Sequence, residues 1–111
     1  MKASLTGSWQ SVRSNIPDYL AGDEWLHFTP DGDHVWEIGQ PRGKGKSSIN
    51  RVTVKEEKNG WTLLLVQNGI EVGSPVRIDY LDVDEIQVIP AHGFVTVFRK
   101  SRKPNKTPFL R

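Results

Sequence analysis

Apolar residues in this chain recur at every second position in short runs, and turn-forming residues cut the runs at intervals of roughly 8–12 positions. Side chains on an extended strand alternate between its two faces, so a period of two describes strands with one buried and one wet face. No stretch sustains the 3.6-residue period of an amphipathic helix. Eight runs read as strands: Ser8–Arg13, Glu24–Thr29, His34–Ile38, Ser48–Glu56, Trp61–Gln67, Ser74–Leu81, Glu85–Ile89 and Phe94–Lys100. Ser14–Asp23 has room for one helical turn, with Pro17 at its start and Gly22 at its end. Gly39–Ser47 reads as a loop of Gly, Pro and basic residues, and no long internal repeat is visible.

Turn chemistry sets which face is buried, because a slip of one residue turns every side chain over. Thr29-Pro30-Asp31-Gly32 suits a type I turn followed by a left-handed Gly. That turn pairs Phe28 with His34, Leu26 with Trp36 and Glu24 with Ile38. Leu26, Phe28, His34, Trp36 and Ile38 then share the core face, with Trp25, His27, Val35 and Glu37 outside. An Asn59-Gly60 type I′ turn pairs Val54 with Leu65 and Glu56 with Leu63, so Val52, Val54, Trp61, Leu63 and Leu65 share a face. Asp82-Val83-Asp84 reads as a further turn. Around Pro90–Gly93, pairing Ile89 with Phe94 places Ile86, Val88, Val95 and Val97 inside. Val76, Ile78 and Tyr80 alternate with Arg77 and Asp79. Hairpins of this kind wrap around one interior, and closing the sheet removes its exposed edges.

At 111 residues the chain has room for one domain. It contains no Cys, which excludes a disulfide scaffold, a Cys-ligated zinc and thiol catalysis. No apolar run approaches the ~20 residues of a membrane span. Met1–Gly7 holds no apolar segment of the secretory type, so a cytoplasmic location is expected. The net charge of +2 is divided unevenly: −4 through Phe98 and +6 from Arg99 onward. Residues 1–100 are therefore taken as the barrel and 101–111 as a basic tail. Arg102, Lys103 and Lys106 of that tail suit an acidic partner, but six charges beside Pro104 and Pro108 form no defined nucleic-acid reader.

Leu5-Thr6-Gly7-Ser8-Trp9 places a Gly-x-Trp at the head of the first strand. It resembles the opening motif of the lipocalin and calycin barrels. Phe28-Thr29-Pro30-Asp31-Gly32, the stretch Tyr80–Val88 and Phe98-Arg99 near the end are similar to short bacterial lipocalin-like domains. The resemblance implies a single antiparallel up-and-down barrel of about eight strands. It also implies that Trp9 closes the barrel floor, with Gly7 beside it and Arg99 lying over the indole as a cation–π partner; Arg102 is the alternative if the last strand runs further.

Small barrels are either filled by side chains or hold one small ligand. Trp9, Trp36 and Trp61 all point inward in these registers. The candidate pocket residues are Phe28, His34, Trp36, Val76, Ile78 and Tyr80, with Gly39–Ser47 and Ser14–Asp23 contributing to a rim. His27 and His34 fall on opposite faces and His92 in a distant turn, so no shared metal is expected. Gly39–Ser47 lacks the P-loop spacing and precedes a strand rather than a helix, which excludes nucleotide hydrolysis. Asp79, Asp82, Asp84 and Glu85 lack the Gly of a calcium loop and suit a hairpin turn. No Ser has a defined His and acid beside it. Trp25, outward beside His27, marks a contact surface.

The expected function is a non-enzymatic binding module for a small apolar ligand in the barrel mouth, without a cofactor. The alternatives are a protein-interaction domain or homodimer using the Trp25 face or the tail, and a small-substrate enzyme with His34 and Tyr80 as acid and base.

Overall fold

The computed structural model describes residues 4–17, 22, 24–38, 48–91 and 93–101. Within them eight strands form one closed antiparallel barrel in sequence order. They are β1 (Gly7–Ser14), β2 (Glu24–Phe28), β3 (His34–Ile38), β4 (Ser48–Glu57), β5 (Gly60–Gln67), β6 (Ile70–Asp82), β7 (Glu85–Ile89) and β8 (Thr96–Lys100). No helix occurs among the described residues. The chain is thus an all-β, up-and-down, eight-stranded barrel, as the alternation and turn spacing require. Of Ser14–Asp23, expected to hold one helical turn, residues 14–17 and 22 are described and none is helical; the other five lie outside the described residues. Gly39–Ser47, His92 and the tail from Arg102 onward lie outside them entirely.

Inward side chains from all eight strands meet in one core. Trp9, Leu26, Phe28, Trp36, Val52, Trp61, Leu63, Val76, Ile78, Ile86, Val88 and Phe98 are buried there, joined by Leu5 from the segment before β1. Val54, Leu65 and Tyr80 pack against it. The three inward indoles occupy much of the interior that an eight-stranded barrel encloses.

The β2–β3 hairpin has the expected register, with Leu26 opposite Trp36 and Glu24 opposite Ile38. Gly32 takes φ 88°, the left-handed geometry for which the Pro-Asp-Gly turn selects it.

The β4–β5 hairpin differs from the expectation by two residues. Val54 faces Leu63, Glu56 faces Trp61, and Lys58-Asn59 makes the turn. A shift of two leaves the faces unchanged, so Val52, Val54, Trp61, Leu63 and Leu65 still point inward. The reason lies in Gly60. It serves proximity rather than the turn, since a Cβ there would sit 2.0 Å from the Ile78 carbonyl oxygen on β6.

A second Asn-Gly, at Asn68-Gly69, carries the left-handed pair of a type I′ turn, with φ 53° and 77°. It starts β6 at Ile70 rather than at Ser74. Between Val72 and Val76 the strand bulges through Gly73, at φ 79°, Ser74 and Pro75, where a residue without an amide hydrogen is tolerated.

At β7–β8 the expected register is wrong by one residue. Ile86 faces Phe98 and Val88 faces Thr96, so Phe98 and Thr96 point inward while Val95 and Val97 do not. The connection runs from Pro90 through Val95, longer than the tight turn read from Pro90–Gly93. The odd slip buries the larger side chain, Phe98, at 0% exposure.

The same slip decides which cation covers Trp9. With Phe98 inward, Lys100 shares its face and Arg99 turns outward. The Lys100 ammonium lies 5.5 Å from the Trp9 ring centroid. Arg99 instead donates to Glu85 at 2.8 Å on the surface. Arg102, the other residue considered for this place, lies outside the described residues. Trp9 is buried as expected, and its indole N–H donates to the Leu5 carbonyl at 2.8 Å, tying the N-terminal segment across the barrel end. Gly7 takes φ 129°, which an L side chain rarely adopts.

Candidate functional site

The antiparallel meander separates the connections into two groups. The start of β1, the 29–33 turn, the Lys58-Asn59 turn and the end of β8 gather at one end of the barrel. The ends of β1, β3, β5 and β7 gather at the other. A groove of about 530 Å³ opens at the first end. Ser4, Leu5 and Thr6 form one bank, Phe28, Thr29, Pro30, Gly32 and His34 a second, and Val54, Glu56 and Trp61 a third.

Two of the six pocket residues expected from sequence, Phe28 and His34, line this groove. Trp36, Val76 and Ile78 are buried in the core behind it, and Tyr80 packs against that core without lining the groove. His34 and Tyr80 are therefore not brought together there as an acid–base pair. Gly39–Ser47, expected as part of the rim, lies outside the described residues, as does half of Ser14–Asp23.

Leu5, Phe28, Pro30, Val54 and Trp61 are the groove's apolar walls, and Ser4, Thr6, Thr29, His34 and Glu56 give it at least as much polar surface. Phe28 meets the His34 ring edge-on, with centroids 5.3 Å apart. His34 Nδ1 is buried and has no hydrogen-bond partner. Burial pushes the His34 imidazole below its usual pKa, against the opposing pull of the Asp33 and Asp31 carboxylates. The ring is thus neutral at pH 7, with one nitrogen to donate and one to accept.

Asp31 accepts hydrogen bonds from the Thr29 hydroxyl and the Asp33 amide, which hold its carboxyl below the usual range. Asp33 pairs with Arg51 across the strands. Glu56 stands on the inward face of β4 at the barrel end, opposite Trp61. Its charge, in register with the inward-facing Val52 and Val54, was the sequence signal for this groove. The contribution of Ser4–Thr6 had no such signal, since it depends on how that segment crosses the barrel end.

The outer surface of β1–β3 carries the candidate contact face. Trp25 points outward and is half-buried, its ring stacked on His27 at 5.8 Å. His27 is not exposed as expected, however: only 1% of it is accessible. The stacked indole and a 2.9 Å hydrogen bond between its Nδ1 and Ser8 Oγ on the neighbouring strand hold it. Burial lowers its pKa. Val35, also outward, is equally buried. Arg102, Lys103 and Lys106 lie outside the described residues.

The acidic residues near the β6–β7 turn are each engaged separately. Asp79 takes both arms of Arg77, at 2.8 and 2.7 Å. Asp82 accepts from the Val83 amide at 2.7 Å. Glu85 lies between Arg99 and Arg13, which hold its carboxyl below the usual range. Among the described residues no three His, Asp or Glu side chains converge as metal ligands. No family model and no curated protein matches the chain.

Proposed function

We propose that this chain is a lipocalin-like binding module that takes a small, mainly apolar ligand in the groove at the β1-start end of its barrel. The observation that carries the reading is the composition of that groove. Leu5, Phe28, Pro30, Val54 and Trp61 line it together with Ser4, Thr6, Thr29, His34 and Glu56, and the buried His34 Nδ1 lacks a partner. Its volume falls in the range of about 300–1,000 Å³ of small-molecule sites, which combine apolar walls with placed polar groups. The three indoles packed in the interior favour a ligand held at the end of the barrel over one deep inside it.

The test is a titration with 2-phenylethanol followed by backbone and indole NMR. Perturbations confined to Thr6, Phe28, His34 and Trp61 support the reading. Thr6→Phe, at an exposed lining position, fills the groove and abolishes them. Scattered perturbations, or binding unchanged in Thr6→Phe, overturn it.

A further inference from the structure

The charge on the described lining of the groove is of one sign, and it bears on what the groove selects. Among the described residues that line it, Glu56 is the sole formally charged side chain, and none is Lys or Arg. Glu56 has a partner already, but a carboxylate has lone pairs for more than one donor. Two further carboxylates, Asp31 and Asp33, stand on the turn at the rim close enough for their charge to act on His34. Arg51 offsets Asp33, while Asp31 is held by a hydroxyl and an amide. The neutral imidazole adds no positive charge. The walls include the aromatic rings of Phe28 and Trp61, and indole is the best aromatic partner for a cation.

We propose that the groove selects a small organic cation, an ammonium group on an apolar body, over neutral and anionic molecules of the same shape. The inference rests on the groove being a ligand site. The apolar body lies along Leu5, Phe28 and Val54, and the ammonium is directed to the Glu56 carboxylate beside the Trp61 ring. A carboxylate ligand would meet Glu56 with like charge and find no cationic side chain among the described residues of the lining.

Three probes of matched shape separate the possibilities: 2-phenylethylamine, 2-phenylethanol and 3-phenylpropionate, titrated at low ionic strength. The amine is expected to bind about tenfold more tightly than the alcohol, as suits one charge-assisted hydrogen bond at a partly exposed site. The propionate is expected to bind most weakly. Glu56→Gln should bring amine and alcohol within about twofold of each other and leave the affinity for the alcohol unchanged. Glu57→Gln, one residue along on the opposite face, should keep the preference. Equal or tighter binding of the alcohol or propionate overturns cation selection while leaving the groove as a ligand site. So does a preference for the amine that survives Glu56→Gln. If none of the three perturbs Thr6, His34 or Trp61, the ligand site itself fails, and this inference with it.

Discussion

Gly60→Ala tests whether Gly60 is there for space or for its backbone angles. A Cβ at Gly60 would lie 2.0 Å from the Ile78 carbonyl oxygen, 3.1 Å from its carbon and 3.2 Å from Asp79 Cα. Ordinary contact begins at 3.4 Å, so the β5 and β6 backbones must part by about 1.4 Å. The obstacle is backbone, with no rotamer to swing aside. Overpacking of this kind costs about 1–3 kcal/mol. Opening the Gly60–Asp79 and Trp61–Ile78 pairs adds roughly 1 kcal/mol for each ladder hydrogen bond weakened. The expected loss is about 3 kcal/mol. Gly69→Ala is the comparison: nothing lies within 4 Å of its Cβ, and its φ of 77° carries only a left-handed penalty of about 1–2 kcal/mol. Urea unfolding followed by tryptophan fluorescence reads both variants. With m about 1.5 kcal/mol/M, Gly60→Ala should lower the midpoint by about 2 M and Gly69→Ala by about 1 M. A Gly60→Ala loss no larger than that of Gly69→Ala would refute the close-approach account.

Phe98→Ala should cost about 3–5 kcal/mol in the same assay and Val97→Ala about half as much; equal losses, or a larger one at Val97, would mean that β8 has the opposite facing. Burial depresses the pKa of both His27 and His34 in the folded barrel, so as pH falls the unfolded chain takes up protons first. Their contribution to stability is therefore complete above 6.5 and declines as pH drops through the interval below it. The urea midpoint should fall between pH about 7 and about 5, and His27→Gln should flatten that slope; an identical slope in the variant counts against the account. Glu37 runs the other way. Burial raises its pKa, so the folded state loses stability as pH rises past 4.5, and Glu37→Gln should raise Tm at neutral pH but not below that value.

The barrel was legible where local chemistry settles register. Pro30-Asp31-Gly32 admits one geometry, and the β2–β3 faces follow from it. At β4–β5 the turn was misplaced because Asn59-Gly60 has the form of a type I′ pair, while the Gly is needed by a strand that lies 18 residues further on. The faces survived because the error was even. At β7–β8 the error was odd: a loop from Pro90 to Val95 carries no strict turn signal, and the choice between Val97 and Phe98 is made by packing against β1 and β7. Reading Arg99 in place of Lys100 above Trp9 followed from that one slip. Phe28 and His34 were found because they flank a well-specified turn. Leu5 and Thr6 were not, because the groove joins segments about fifty residues apart and no local pattern announces such contacts; Glu56 was passed over although its charge stands in register with the inward Val52 and Val54.

The pairing of β1 with β8 sets the barrel's folding economy apart from that of a plain meander. Every other strand pairs with its neighbour in the chain, across a short connection. At the closing seam Trp9 faces Lys100 and Ser101 donates to the Ser8 carbonyl, so residues about ninety positions apart must meet. Closing a loop of that length costs about 2 kcal/mol more than closing a ten-residue hairpin. That entropy is recovered only when Trp9, Phe98 and the Leu5 bond to the indole come together at once. The seam is therefore the step that turns a curved sheet with two open edges into a cooperative unit, and the same contacts that bury Trp9 hold the groove's N-terminal bank in place.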